Sequence, residues 1–164
     1  MIRCYIGLGS NLDNPRQQVM NACLALKQLP QSRLIAASSL YSSKPVGPQD
    51  QPDFINAVAA IDTTLAPEAL LDQLQAQEQR QGRVRRRHWG ERTIDLDLLL
   101  YGEHCILTER LTVPHKELTK RSFVVVPLLE IAPALSLPNG RKIHELDAAE
   151  DQSLIRLSSP VIDL

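Results

Sequence analysis

The chain is short of cysteine: Cys4, Cys23 and Cys105 are the three in 164 residues. A sparse, odd count without Cys-x-x-Cys spacing excludes a disulfide framework and suits a reducing compartment, so all three read as buried free thiols. No apolar run reaches the ~18 residues that a membrane span needs. The first ten residues also lack the basic-then-apolar order of a secretion signal. These absences point to a cytoplasmic protein with no membrane partner. Repeats, low-complexity tracts and linker-like stretches are missing too, so residues 1–164 are expected to form one domain. A third glycine is missing after Gly7-Leu8-Gly9, which makes a dinucleotide-loop hint weak, and those glycines are read as turn formers. Net charge is nearly absent, at −1, but it is unevenly placed. Arg80 to Arg92 holds six Arg and one Glu, which leaves −6 on the rest of the chain. Basic charge focused in this way suits an anion site better than a generally adhesive surface.

The periodicities give an element order. Ile2 to Leu8 reads as a short apolar strand. A helix follows from Pro15, with Asn14 in the capping position and Val19, Ala22, Cys23, Leu26 and Leu29 at helical spacing. Arg33 to Tyr41 reads as a second strand. Pro45, Gly47, Pro48 and Pro52 then make a loop of restricted backbone. Asp53 to Asp62 is a third strand, with Phe54, Asn56 and Val58 on one face and Ile55, Ala57 and Ala59 on the other. Asn56 interrupts an apolar stretch, either as a satisfied structural amide or as a ligand partner offering two donors and an acceptor. Pro67 opens a second helix through Leu70, Leu71, Leu74 and Glu78 to near Gly82. A fourth strand runs to Tyr101. Strand-helix-strand-strand-helix-strand is the ferredoxin-like βαββαβ pattern, an α+β sandwich with helices on an antiparallel sheet. The rest is a C-terminal extension: an apolar helical run from Phe123 to Ile131, then a loosely defined tail.

The chemistry concentrates in His88 to Leu100. If Asp95-Leu96-Asp97 is extended, both carboxylates share one face while Leu96 and Leu98 face a core. Paired carboxylates on a rigid strand can seat a hard cation such as Mg²⁺. Arg83, Arg85, Arg86, Arg87 and Arg92 lie just before them. A metal seat beside guanidinium groups suits a polyphosphate, although each half alone is more often a solvated edge or a solvated loop.

Four separated stretches resemble the 6-hydroxymethyl-7,8-dihydropterin pyrophosphokinase family: Gly7 to Leu12, Pro45 to Asn56, Trp89 to Asp97, and Val113-Pro114-His115. Their occurrence in the family's order makes the resemblance specific, and it covers most of the chain. It implies the same ferredoxin-like fold and transfer of the diphosphate of ATP to the pterin hydroxymethyl oxygen, with release of AMP. It implies two Mg²⁺ ions held by Asp95 and Asp97, with Arg83 and Arg92 as further catalytic groups. ATP contacts would come from Gln75, Glu78, Arg85, Trp89, Arg92, Leu98, Arg110, Thr112, His115 and Arg121. Pterin contacts would come from Ser43, Pro45, Val46, Gly47, Phe54, Asn56, Trp89 and Phe123, with Phe54 and Phe123 sandwiching the ring. Three of the six aromatic residues fall in that site, as a flat heteroaromatic ligand would favour.

Phosphoryl-type transfer is mainly positioning and charge stabilisation, so no covalent intermediate is expected. The loop from Gly82 to Trp89 would close over both substrates and exclude water. The competing class is a nucleic-acid-binding module. The strands lack the clustered aromatics that stack bases, and paired aspartates repel phosphate without a metal. The expectation is therefore a monomer that binds ATP and a pterin, with no nucleic-acid partner.

Overall fold

The computed structural model describes residues 1–82 and 89–162, with backbone only for 158–160. Arg83 and Arg85, with Arg86, Arg87 and His88, lie outside the described residues, as does most of the expected lid.

The middle of the sheet is β1 (Ile2–Ser10), which pairs antiparallel with β4 (Phe54–Thr63) on one side and β5 (Asp95–Tyr101) on the other. The strand expected to end at Leu8 continues through Gly9 to Ser10. Both glycines are therefore strand residues, not turn formers: Gly7 lies between Val58 and Asp97, and Gly9 between Asn56 and Asp95. Pairing on both edges supplies ladder hydrogen bonds that override a local Gly-x-Gly turn preference.

The expected second strand is two, β2 (Ser32–Ala37) and β3 (Ser39–Ser43), both beside β4. The break falls at Ser38, whose hydroxyl accepts the Val58 N–H at 2.9 Å while its own N–H bonds to the Val58 carbonyl. A serine side chain has replaced one backbone acceptor, and the strand bends there. The tail also departs from expectation. It contains β8 (Ile155–Pro160), which pairs antiparallel with β3 and gives the order β5-β1-β4-β3-β8, with β2 also on β4. Within that order the four βαββαβ strands keep the ferredoxin-like arrangement.

Two helices cover one face. In α1 (Pro15–Leu26) the residues Val19, Ala22, Cys23 and Leu26 are buried at helical spacing, and in α2 (Pro67–Arg80) so are Leu70, Leu71, Leu74 and Glu78. They meet Ile6, Leu8, Ala57, Ala59, Ile61, Leu96 and Leu98 in one core. Asn14 occupies the capping position in left-handed backbone, with no side-chain cap bond. Its carbonyl accepts the Gln18 N–H instead.

A third helix, α3 (Ser122–Ile131), covers part of the opposite face through Val124, Val125 and Leu128, against Tyr5, Val58, Ala60, Leu99 and Leu100. Leu99 and Leu100 both join this cluster because the β1–β5 register shifts beside Tyr5 and Ile6. The Glu130 carboxylate fixes the helix to β3. It accepts the Ser39 N–H at 3.0 Å, the Ser39 hydroxyl at 2.9 Å and the Tyr41 hydroxyl at 2.6 Å. Burial, then this carboxylate, pushes the Tyr41 phenol pKa up. A small hairpin, β6 (Ile106–Leu107) with β7 (Thr112–Val113), follows β5. Cys4 and Cys23 are buried, with thiol pKa values pushed up to about 12 chiefly by burial. Cys105 is exposed, contrary to expectation, because it sits in the connection between β5 and β6.

Candidate active site

The sheet face that carries α3 is left open at one end. Along β1 the residues facing that side are Tyr5, Gly7 and Gly9, and α3 covers only the Tyr5 end. The two glycines contribute no side chain, so the sheet has a bare floor there. One row across it reads Asp97, Gly7, Val58, and the next reads Asp95, Gly9, Asn56. Adjacent strands are about 4.8 Å apart, so Asp95 and Asn56 stand about 10 Å apart across a flat bed. A cleft of about 590 Å³ lies over this floor, within the range of small-molecule sites.

At the β5 end, Asp95 and Asp97 project into the cleft while Leu96 and Leu98 are buried behind them. The Leu96 N–H donates to Glu78 Oε2 at 2.7 Å. A buried carboxylate from α2 thus holds the main chain between the two aspartates. His115 stands opposite, with Nε2 3.9 Å from Asp97 Oδ2. Its Nδ1 accepts the Glu117 N–H at 3.1 Å, which places the proton of neutral His115 on Nε2, facing Asp97. Burial is the main cause that lowers the His115 pKa. Arg121 and Lys116 add to it, while Glu117 and Asp95 oppose it. Among the described residues, no group of three or more His, Cys, Asp or Glu could hold a metal ion by itself. Two hard carboxylates from one strand suit an ion that brings the rest of its oxygen shell with a polyphosphate. The site fits Mg²⁺ on those terms.

At the β4 end, Asn56 Nδ2 donates to Ser43 Oγ at 2.7 Å, and Phe54, Val46 and Gly47 close the edge. Phe123, at the start of α3, lines the cleft from above. The Arg121 guanidinium lies 5.4 Å from the Trp89 ring centre and 5.5 Å from that of Phe123. Its buried Nε has no hydrogen-bond partner among the described residues, so it is a donor that a bound acceptor could satisfy. Arg92 reaches the same wall, with one terminal nitrogen donating to the Gly90 and Glu91 carbonyls at 3.0 Å each.

The structure thus gathers most of the expected site residues around one cleft: Ser43, Val46, Gly47, Phe54, Asn56, Gln75, Glu78, Trp89, Arg92, Asp95, Asp97, His115, Arg121 and Phe123. Others stand apart. The Leu98 side chain belongs to the core under α1 and α2. Pro45 is buried behind the loop, where its carbonyl accepts Gln49 Nε2. Thr112 is exposed on β7. Arg110 is exposed and bonds to Asp72 and Gln75 on α2, so it adjoins the cleft through Gln75. Gly7, Gly9, Lys44, Lys116 and Glu117 also line the cleft but were not singled out from the sequence as site residues. No local signal marked the floor, because only pairing on both edges makes Gly7 and Gly9 strand residues. The described charged lining is balanced, with Lys44, Arg92, Lys116 and Arg121 against Glu78, Asp95, Asp97 and Glu117. Cation-seating and anion-gripping groups therefore face one another.

Residues 5–133 match the sequence family described as 7,8-dihydro-6-hydroxymethylpterin-pyrophosphokinase (HPPK). The chain is 55% identical over 159 residues to the 2-amino-4-hydroxy-6-hydroxymethyldihydropteridine pyrophosphokinase of Haemophilus influenzae, covering 96% of this chain and 99% of that one. Against the protein of the same name from Pseudomonas aeruginosa it is 55% identical over 147 residues, covering 90% and 91%. Among solved structures, the Plasmodium falciparum HPPK-DHPS crystallised with pteroate superposes with a TM-score of 0.70 at 13% identity. That likeness bears on the fold alone; it covers 87% of this chain and 41% of the Plasmodium chain.

Proposed function

Because this chain belongs to the 7,8-dihydro-6-hydroxymethylpterin-pyrophosphokinase family, we propose that its cleft is the place where that reaction occurs. The protein transfers the diphosphate of ATP to the hydroxymethyl group of 6-hydroxymethyl-7,8-dihydropterin, giving the pterin diphosphate and AMP, a step of folate biosynthesis. The observation that carries the assignment of ends is the glycine floor, with a carboxylate pair on one side and a half-buried aromatic beside a buried amide on the other.

The pterin lies flat over Gly9, its edge meeting the Asn56 amide and its faces meeting Phe54 and Phe123. Ser43 holds Asn56 in orientation. The triphosphate lies toward β5, where Asp95 and Asp97 would hold Mg²⁺, which when bound would supply neutralisation of phosphate charge. Arg92, Arg121 and the Nε2–H of His115 donate to phosphate oxygens from the opposite wall. Arg83 and Arg85, which lie outside the described residues, are assigned to the phosphates by resemblance. Arg110, Thr112 and Leu98 are assigned to the nucleotide by resemblance, and of these Arg110 adjoins the cleft through Gln75. The pterin hydroxyl oxygen attacks the β-phosphorus and loses its proton to solvent, while the bond from that phosphorus to the oxygen bridging the α-phosphorus breaks, so AMP leaves with that oxygen. The chain acts as a single catalytic domain and a monomer, in a reducing compartment that suits its three free cysteines. No described helix is long and apolar enough to cross a membrane.

Incubating the protein with ATP, Mg²⁺ and the hydroxymethyl pterin tests the reading directly. AMP and pterin diphosphate are expected in equal amounts, and none without Mg²⁺. Formation of ADP, or no pterin-dependent turnover, would overturn it.

A further inference from the structure

One carboxylate outside the cleft ties its roof to its floor. The row that carries Asp95, Gly9 and Asn56 does not end at β4. Tyr41 on β3 pairs with Asn56, and Arg156 on β8 pairs with Tyr41. Paired residues share a sheet face, so Tyr41 stands on the cleft side of the sheet, about 4.8 Å beyond Asn56. It is buried and does not line the cleft. Its hydroxyl goes to Glu130, as do the N–H and hydroxyl of Ser39, two residues back on the same face. Arg156 adds a nitrogen 3.5 Å from Glu130 Oε2. Glu130 lies in the last turn of α3, seven residues after Phe123. Seven residues are two helical turns, so the two side chains project from one side of the helix, about 10 Å apart along its axis. Phe123 lines the cleft and Glu130 does not. The apolar contacts of Val124, Val125 and Leu128 hold α3 against the sheet, but apolar attraction is non-directional and leaves the helix free to slide or tilt. Directed hydrogen bonds to a charged acceptor fix its placement.

We propose that Glu130 is a positioning residue for the pterin: by fixing α3 to the strand row beside Asn56, it sets the gap between Phe123 on the helix and Phe54 on the sheet. A gap wider by about 0.5–1 Å forfeits roughly a quarter to a half of the dispersion attraction across it. Glu130 touches no substrate and acts through Phe123. Arg121, just before α3, has a long side chain that can follow a small shift of the helix, whereas a stacked ring cannot. The inference rests on the pyrophosphokinase reading for the identity of the ring.

The test is calorimetric titration of the full chain with the hydroxymethyl pterin and, separately, with Mg²⁺ and a non-hydrolysable ATP analogue. Glu130→Gln removes the charge and one of the two acceptor oxygens. It should weaken pterin binding at least about 5-fold, while the analogue binds within about 2-fold of wild type. Tyr41→Phe removes one bond to Glu130 and keeps the ring packing. It should weaken pterin binding about 3-fold and serves if Glu130→Gln does not fold. Combining either variant with Phe123→Ala separates positioning from a merely structural role. Once the Phe123 ring is gone, the second substitution should cost less than about 2-fold in pterin affinity. A lower melting temperature with unchanged pterin affinity would overturn the proposal. So would a loss that adds in full to that of Phe123→Ala, or an equal loss for pterin and analogue. A wild type that binds no pterin would sink the functional reading, and this proposal with it.

Discussion

Replacing Gly9 with alanine isolates the bare floor on which the two-ended cleft depends. The new methyl would lie 3.2 Å from Asn56 Oδ1 and 3.9 Å from Phe54 Cδ1. The Asn56 contact is tight, and Asn56 cannot swing freely because it is bonded to Ser43 at 2.7 Å. The methyl also stands where the ring would lie. Overfilling a formed site costs ~1–3 kcal/mol, which is about 5- to 150-fold in affinity. Folding should suffer little. Gly9 is not among the residues of positive φ, and replacing glycine by alanine in such backbone gains ~0.4–1 kcal/mol through the unfolded chain. The melting temperature should therefore stay within about 3 °C of wild type. Gly7→Ala is the control, since the nearest atoms its methyl would meet are those of Leu99, from 3.5 Å, an ordinary contact. Fluorescence or calorimetric titration should show Gly9→Ala binding pterin at least about 5-fold more weakly, with affinity for the ATP analogue nearly unchanged. Equal pterin affinity in Gly9→Ala and wild type would refute the placement of the ring over β1.

Three further outcomes follow from the same geometry. Asp95→Ala and Asp97→Ala should each lower turnover by on the order of 10² or more; near wild-type rates in both at saturating Mg²⁺ would remove the metal seat. Glu78→Leu should destabilise the fold by ~1–3 kcal/mol in denaturant titrations, since it leaves the Leu96 N–H unpaired in a buried position. It should also lower turnover through the displaced aspartates, and a stable, fully active variant would contradict the role given to it. His115 has a folded pKa below its ordinary 6.5, mainly through burial. The unfolded chain therefore takes up this proton first as pH falls, and stability is lost from about pH 6.5 down to the folded value while staying flat above. The wild type should accordingly lose more stability than His115→Gln between about pH 7.5 and pH 5.5, and equal losses would contradict that assignment.

The fold was legible where one period dominated. Val19, Ala22, Cys23 and Leu26 announced α1, and the alternation of Phe54, Asn56 and Val58 with Ile55, Ala57 and Ala59 gave β4 its two faces. The break at Ser38 was not legible, because a hydroxyl bonding to Val58 becomes visible only once β4 lies alongside. Strand β8 was missed because Ile155-Arg-Leu-Ser-Ser-Pro160 is short and polar. Its place depends on distant partners, among them the Arg156–Glu130 ion pair at 3.5 Å. In the site, Asp95 and Asp97 could be read from spacing alone, since a strand must put them on one face. Gly7 and Gly9 could not, because Gly-x-Gly indicates a turn until strands on both sides hold it extended. Arg121 and His115 came from resemblance, because nothing local in their sequence shows that a guanidinium will settle between Trp89 and Phe123.

The most direct test of the two-ended cleft is a crystal structure of the protein with Mn²⁺ in place of Mg²⁺, a non-hydrolysable ATP analogue and the hydroxymethyl pterin. Anomalous scattering should place Mn²⁺ in direct contact with carboxylate oxygens of both Asp95 and Asp97, with the ring over Gly9 and its edge bonded to Asn56. Metal bound away from those aspartates, or a ring lodged elsewhere than the glycine floor, would contradict it.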